Sequence, residues 1–540
     1  LLTKAEIDNN IRLACLTKVT DNLKIKLEDN EKIIAMTEGS SLNIEKDLKF
    51  NKTNVNLKQA TIEDQRDYVA RIYDELDELN VNDINMESLK TLNNINLEES
   101  FTVTTKDNNI IEIDQNNSNT DLFGIAIDIG TTTVVIYLLN LNSCQTIATT
   151  SFYNPQKKYG ADVISRINFA SDNNNGIQKL KSDLINGLNS GINELIQENN
   201  IDNKDIYQGT IVGNTVMMHT LLGMKTESIA KSPYIPMVTD NLNIKPKEIG
   251  ININNKGLIQ ILPSISGYIG ADIVGDMFAA NLNSYADKIN LLIDIGTNGE
   301  IVLSKGHKIY TCSTAAGPAF EGANITFGMA GVPGAISEFK IENNQPKYKT
   351  INNKKPKGIC GSGLLDIIAE LFHNNLIDAN GAFVDNNEIN NNLSKLFTEY
   401  KGKKAYIVAS AQETETGNQI LLTQKDIREV QLAKGAIQAG INILKKELDI
   451  NYQDVDNVYI AGGFGNYINP HNACIIGLIP AKLEQKIIQI GNGAGTGAKL
   501  YLLDRKTETY VQELKNKVQY IELSSRQDFQ TEYMSSMQFK

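Results

Sequence analysis

The chain has 540 residues, enough for several domains with large cores, and its 41% hydrophobic and 21% charged content belongs to folded rather than disordered proteins. Its 64 acidic and 52 basic residues leave a formal charge of -12, which argues against a nucleic-acid surface and favours protein partners or small ligands. The longest uncharged stretch, Ile129 to Gln156, is broken by Thr131 to Thr133, Asn140, Asn142 and Gln145, so no membrane span is expected, nor is a secretory signal visible. Cys15, Cys144, Cys312, Cys360 and Cys474 form no C-x-x-C and no zinc spacing, which fits a reducing, cytoplasmic setting.

In chain order, residues 1 to about 37 are short and strand-like, with Leu23-Lys-Ile-Lys-Leu alternating as a half-buried strand does. This segment is too small to fold alone, and because the chain starts at Leu the expectation is that a piece precedes it. Residues 38–53 read as a polar linker. A small module is expected over 54–120, with an amphipathic helix from Asp64 to Leu79 and an asparagine-rich end. The large body that follows divides into a first lobe over 121–290 and a second over 291–540.

That division rests on a repeat. FGIAIDIGTTTVVIYLL from Phe123 and INLLIDIGTNGEIVL from Ile289 each read as a strand, a tight glycine turn and a returning strand. Gly130 and Gly296 let the backbone turn sharply near a ligand. The amides and side chains of Thr131, Thr132, Thr133, Thr297 and Asn298 can face phosphate oxygens, while Asp128 and Asp294 are placed to hold magnesium, usually through water. One D-x-G-T is a common strand end; two in matching contexts point to the halves of a nucleotide clamp. Further on, Thr423 and Asp426 resemble a capping box, with Ile427, Val430, Ile437, Ile441 and Leu444 on one face of the helix. Val458-Tyr-Ile then reads as a buried strand running into Ala461-Gly-Gly-Phe-Gly-Asn, where Gly462, Gly463 and Gly465 allow backbone to lie against a nucleoside. GNGAGTGAK from Gly491 lacks the Gly-Lys-Ser/Thr ending of a P-loop and only partly imitates a dinucleotide fingerprint.

Two hairpins followed by a strand and AGGFG, in that order, resemble the ATPase core shared by actin, sugar kinases and heat-shock chaperones. The fold implied is α/β: a two-lobed, actin-like ATPase of the ASKHA type with duplicated ribonuclease H-like lobes. Within that superfamily the chain resembles the reductive activators of corrinoid proteins. The resemblance runs from Asp121 onward through NPQKKYGADVISRI (Asn154 to Ile167), GNTVMMHTLLG (Gly213 to Gly223), GYIGADIVGD (Gly267 to Asp276), GPAFEGANITFGMAG (Gly317 to Gly331), GICGSGLLD (Gly358 to Asp366), LTQKDIREVQLAKGAI (Leu422 to Ile437) and YIELS (Tyr520 to Ser524).

The resemblance implies a small α/β middle domain and, before it, a β-grasp ferredoxin domain with a 2Fe-2S cluster. Of its four cysteine ligands only the position in Arg12-Leu-Ala-Cys15 is present, so residues 1–37 are expected to be a ferredoxin remnant with Cys15 a former ligand. It implies ATP and Mg2+ as further cofactors, with ATP use coupled to passage of one electron from the cluster to Co(II), regenerating Co(I). The implied partners are the corrinoid protein of a methyltransferase system and an electron donor such as ferredoxin or flavodoxin; a homodimer stays open.

Several residue roles carry alternatives. Glu300 and Asp272 are each candidates to orient an attacking water, against carboxylates that cap a turn or helix. Glu321 and Asn324 are candidate ribose or phosphate contacts, against a simple turn. His219, beside Met217 and Met218, is better read as a packed core histidine than as a cobalt or haem ligand. A small-molecule kinase of the sugar or acetate type, and a chaperone-like ATP-driven binding protein, remain alternatives to the activator.

Overall fold

The structure is a computed structural model that describes residues 46–115, 120–282, 287–316, 318–322, 324–385, 391–463 and 465–540. The chain divides into two compact units, Leu1–Lys32 and Ile33–Lys540, and the described residues all belong to the second. The strand expected at Leu23 and the ligand position Cys15 therefore lie outside the described residues.

The first sheet, of order β1-β3-β4-β2, contains β1 (Phe50–Val55), β2 (Asp83–Ile84), β3 (Phe101–Lys106) and β4 (Asn109–Asp114). Its core gathers Val55, Ile72, Leu76, Phe101, Val103, Ile110 and Ile113. The expected linker thus ends sooner than composition indicated, since Phe50 to Thr53 already pair with Lys106 to Val103. Phe50 is fully buried and drives that pairing despite its polar neighbours. The helix expected from Asp64 begins at Tyr68, because Asp67 caps it by accepting from the Ala70 amide, and it ends at Glu75.

Lobe 1 is built on β5 (Phe123–Ile129), β6 (Thr133–Asn140), β7 (Gln145–Tyr153), β8 (Ile206–Gly213), β9 (Leu242–Ile244) and β10 (Leu258–Ile261), in the order β7-β6-β5-β8-β10-β9. Ile125, Ile127 and Ile129 of β5 are fully buried, each worth roughly 2–3 kcal/mol of apolar burial. Lobe 2 uses β11 (Ile289–Ile295), β12 (Gly299–Lys305) and β13 (Lys308–Thr314). Two three-stranded sheets follow in the chain, one of β14 (Ala335–Glu342), β15 (Gln345–Thr350) and β16 (Gly358–Ile359), the other of β17 (Phe397–Tyr400), β18 (Lys403–Ala409) and β19 (Ile420–Thr423). With β20 (Asn457–Ala461), β21 (Ile487–Gly491) and β22 (Val518–Tyr520) the main sheet has the order β21-β20-β11-β12-β13-β22. In both lobes three antiparallel strands are followed by two parallel ones: β5 runs parallel to β8 and β8 to β10, as β11 does to β20 and β20 to β21. This is the duplicated ribonuclease H-like lobe of the ASKHA fold. The lobes differ in their sixth strand, which flanks β10 in the first and β13 in the second.

The sheet order carries one departure from a division at residue 290. The helix Gly493–Leu503 follows β21 in the chain but packs on lobe 1, where Ala494, Ala498, Tyr501 and Leu502 join the core of β5 and β8. It meets the helix Ala271–Ala279 at glycines: a Cβ on Gly497 would lie 2.2 Å from the Gly275 carbonyl oxygen. Small residues there let two backbones touch, so the polypeptide returns to lobe 1 before β22 takes it back to lobe 2.

The helix Gln424–Glu447 opens with the expected capping box, Thr423 with Asp426, and buries Ile427, Val430, Ile437, Ile441 and Leu444. His219 is a core histidine: Nδ1 lies 2.7 Å from the Thr215 carbonyl and Nε2 accepts from the Met237 amide at 3.0 Å.

Candidate functional site

The two D-I-G-T segments form the hairpin bends β5–β6 and β11–β12. In the first, the Gly130 amide donates to the Thr133 carbonyl at 3.0 Å; in the second, Gly296 donates to Asn298 at 3.0 Å. The carbonyls of the first bend are all held from lobe 1. Asn154 Nδ2 donates to Gly130 O at 2.8 Å, Arg166 Nη2 to Thr131 O, and the Asn154 amide to Thr132 O at 2.9 Å. Because a peptide plane carries C=O and N–H on opposite sides, the amides of Thr131, Thr132 and Thr133 point away from those anchors. These amides are left free of the anchors that hold the bend and are candidate donors to an anion. Thr131 Oγ1 is held in turn by Asn214 Nδ2 at 3.0 Å.

The carboxylates come from four elements. Asp128 and Asp294 sit at equivalent points of β5 and β11, but their cross-strand partners differ: Val135 faces Asp128, whereas Glu300 faces Asp294. Glu300 is therefore a strand residue and caps neither turn nor helix; Ser313 Oγ donates to it at 3.3 Å. Asp272 and Asp276 lie one turn apart on the helix Ala271–Ala279, and Asp272 Oδ1 accepts from the Ile273 amide at 2.9 Å, so it does serve the helix start.

Burial and mutual repulsion shape the charge of this group. Burial, opposed by the Asn492 hydrogen bond and reinforced by Asp294, pushes Asp128 up to about 7. Burial, then the charges of Asp294 and Asp128, pushes Asp272 up to about 8. Asp276 is raised well above the ordinary carboxylate range, by burial first and then by Asp294. Burial raises Asp294, and burial with Asp294 and Asp272 raises Glu300. Neither carboxyl oxygen of Asp276 has a donor among the described residues, although the side chain is almost wholly buried and neighbours Asp294. The consistent state is a protonated Asp276 giving its proton toward Asp294.

The AGGFG segment closes the third side. Gly462 has φ of +90°, donates to the Gly491 carbonyl at 3.2 Å, and lies so near Asp294 that a Cβ would be 2.2 Å from Oδ1. Gly465 donates to the Gly462 carbonyl at 3.1 Å and starts a short turn. Gly296 and Gly463 face open space, with nothing within 4 Å of an added Cβ. Asn492, between β21 and the helix Gly493–Leu503, donates from Nδ2 to Asp128 at 2.9 Å while its Oδ1 accepts from Gly495 at 2.7 Å. Glu321 reaches both bends: Thr132 Oγ1 donates to Oε2 at 3.0 Å and Thr297 Oγ1 to Oε1 at 2.9 Å. Asn324, by contrast, is an exposed turn residue with φ of +64°, and none of its described contacts reaches the bends.

Five residues of this arrangement lie outside the sequence reading: Asn154, Arg166, Asn214, Asp276 and Asn492. Asp276 had a signal, four residues after Asp272 on a helix. Arg166 is fully buried yet has no carboxylate within ion-pair distance among the described residues, and only tertiary structure places it behind the first bend.

Open space beside two glycines, carboxylate oxygens from both lobes and the amides of the first bend fit a magnesium nucleotide. Among the described residues no group of three or more His, Cys, Asp or Glu is gathered to hold a metal ion directly. The four described cysteines are free; Cys312, Cys360 and Cys474 are buried and make no cluster site.

Fold and site together define a two-lobed ATPase of the actin-like class. Residues 288–540 match the family described as the C-terminal domain of RACo, the ASKHA domain, and residues 123–285 match the RACo middle region. The chain is 36% identical over 444 residues to the corrinoid activation enzyme RamQ of Eubacterium limosum, covering 82% of this chain and 74% of that protein. It is 23% identical to a [Co(II) methylated amine-specific corrinoid protein] reductase of Methanosarcina barkeri, over 77% of each. A solved structure of a reductive activator for corrinoid, iron-sulfur protein superposes with a TM-score of 0.83 at 34% identity, covering 100% of this chain and 88% of that one. The chain belongs to the reductive activators of corrinoid proteins, ATP-dependent activases.

Proposed function

We propose that this protein binds Mg·ATP between its two hairpin bends and uses it to drive one-electron reduction of a Co(II) corrinoid protein of a methyltransferase system to Co(I). The observation that carries the reading is the convergence of both bends, the half-buried carboxylates and the AGGFG glycines on one cleft, in a chain of this family. When bound, the nucleotide supplies the free energy that an uphill reduction needs.

The residues divide the work as follows. Asp128 and Asp294 carry the magnesium-facing oxygens, and Asn492 holds Asp128 at 2.9 Å. Gly130, Thr131, Thr132, Thr133, Gly296, Thr297 and Asn298 present amides and hydroxyls to phosphate. Gly462, Gly463 and Gly465 flank the nucleoside. Glu300 is the stronger candidate to orient an attacking water, because it faces Asp294 across the sheet whereas Asp272 is occupied by a helix amide. Arg166, fixed by Gly160 and Thr131 carbonyls, offers positive charge behind the first bend. A nucleotide changes the lobes only through unequal affinity for two arrangements, and contacts to both bends supply that inequality.

The electron comes from a reduced donor such as ferredoxin or flavodoxin. A 2Fe-2S centre on its path needs four cysteine ligands, of which Cys15 would be one, and no step is derived through that centre from the described residues. Among the described residues no helix is long and apolar enough to cross a membrane; with the buried free thiols this supports a cytoplasmic setting.

The test is anaerobic incubation of the protein with a Co(II) corrinoid protein and a reduced donor, following the Co(I) absorbance. Co(I) formed only with Mg·ATP supports the reading. Equal reduction without nucleotide, or phosphate transfer to an added metabolite instead, contradicts it.

A further inference from the structure

We infer that Glu321 is a carboxylate latch: in the nucleotide-free protein it takes the hydroxyls that phosphate would take and ties the lobes together, and nucleotide must displace it. The inference rests on the nucleotide reading above and adds a regulation of that site. One carboxylate accepts from Thr132 Oγ1 of the lobe 1 bend at 3.0 Å and from Thr297 Oγ1 of the lobe 2 bend at 2.9 Å. A carboxylate and a phosphate offer the same kind of anionic oxygen to a hydroxyl, so both cannot hold these two donors at once. They also repel each other in a cleft already crowded with carboxyl groups.

Arg166 makes the occupancy tolerable. Its buried guanidinium has carbonyl partners, and Glu321 is among the carboxylates that attract it. The positive field that would draw phosphate into the first bend is thus shared, while the cleft is empty, between Asp162 and Glu321. Glu321 ends the short turn Pro318–Glu321, and its three rotatable side-chain bonds let the carboxylate leave both threonines without remaking either bend. Release of the latch and capture of nucleotide are thus the same exchange of acceptors.

The experiment is calorimetric titration of Mg·ATP into the wild-type chain, Glu321→Gln and Glu321→Ala, with hydrogen exchange of residues 130–132 and 296–298 in the nucleotide-free proteins. Thermal melts establish that each variant is folded, and the near-isosteric Gln variant guards against a cavity effect in Ala. The latch predicts about tenfold tighter Mg·ATP binding in both variants and faster exchange at both bends before nucleotide is added. Wild-type binding with unchanged or weaker affinity in Glu321→Gln overturns the latch alone and makes Glu321 a bystander or a nucleotide contact. No binding by any of the three proteins overturns the nucleotide reading and the latch with it.

Discussion

Asp294 is held by neighbours on two sides that tolerate little change. Asp276 has both carboxyl oxygens buried without a donor, so its proton is what satisfies Asp294. In Asp276→Asn the amide N–H takes over that donation, and urea unfolding at neutral pH is expected to show a stability change within about 1 kcal/mol. Asp276→Ala leaves Asp294 without a donor and is expected to cost about 1–3 kcal/mol in the same measurement. On the other side, Gly462 combines φ of +90° with contact to Asp294 Oδ1. Gly462→Ala should lose about 1–2 kcal/mol and displace Asp294. Gly463→Ala, facing open space, should unfold within about 0.5 kcal/mol of wild type yet bind Mg·ATP several-fold more weakly. Equal effects of the two alanines on stability would remove the distinction between a glycine that packs and one that faces ligand.

Between elements, the contact that sequence reasoning did not anticipate is the return of the helix Gly493–Leu503 to lobe 1. Its glycine-rich start reads in sequence as an incomplete P-loop or dinucleotide fingerprint, but Gly497 and Gly275 are there to let two helices touch. Gly497→Ala should force them apart and cost about 1–3 kcal/mol, read by thermal unfolding. Unchanged stability would mean that the crossing is loose. The hairpins were legible because their apolar strands and D-I-G-T bends are contiguous and occur twice. The capping box at Thr423 was legible for the same reason, its partners being three residues apart. Arg166 and Asn492 were not, because each gains its meaning from residues tens to hundreds of positions away. The polar run around Phe50 misleads by composition, since Leu48 and Phe50 are buried and Lys49 and Lys52 are held in ion pairs with Glu508 and Asp205.

For the whole molecule, the acidic cleft links protonation to stability. Asp128 and Asp272 are raised to about 7 and about 8, above their ordinary range near 3.8, with Asp276, Asp294 and Glu300 raised as well. Between those values the folded chain holds protons that the unfolded chain has released, so stability falls as pH rises toward 8. The nucleotide-free protein should therefore melt at lower temperature at pH 8 than at pH 6. Mg·ATP should recover more of the loss at the higher pH, because a cation favours the ionised carboxylates, and Asp272→Asn should flatten the nucleotide-free profile. A melting temperature that rises from pH 6 to 8 without nucleotide would contradict the assigned protonation.

Coupling between the cleft and the partner is the central claim, and the rate of Mg·ATP hydrolysis measures it most directly. It should be recorded for wild type and Asp294→Asn, each alone, with the corrinoid protein in its Co(II) state and with it in its Co(I) state. The account predicts that the Co(II) form accelerates hydrolysis by wild type, that the Co(I) form does so far less, and that Asp294→Asn loses at least about 100-fold of the rate in every case. Hydrolysis indifferent to the corrinoid protein, or undiminished in Asp294→Asn, would contradict it.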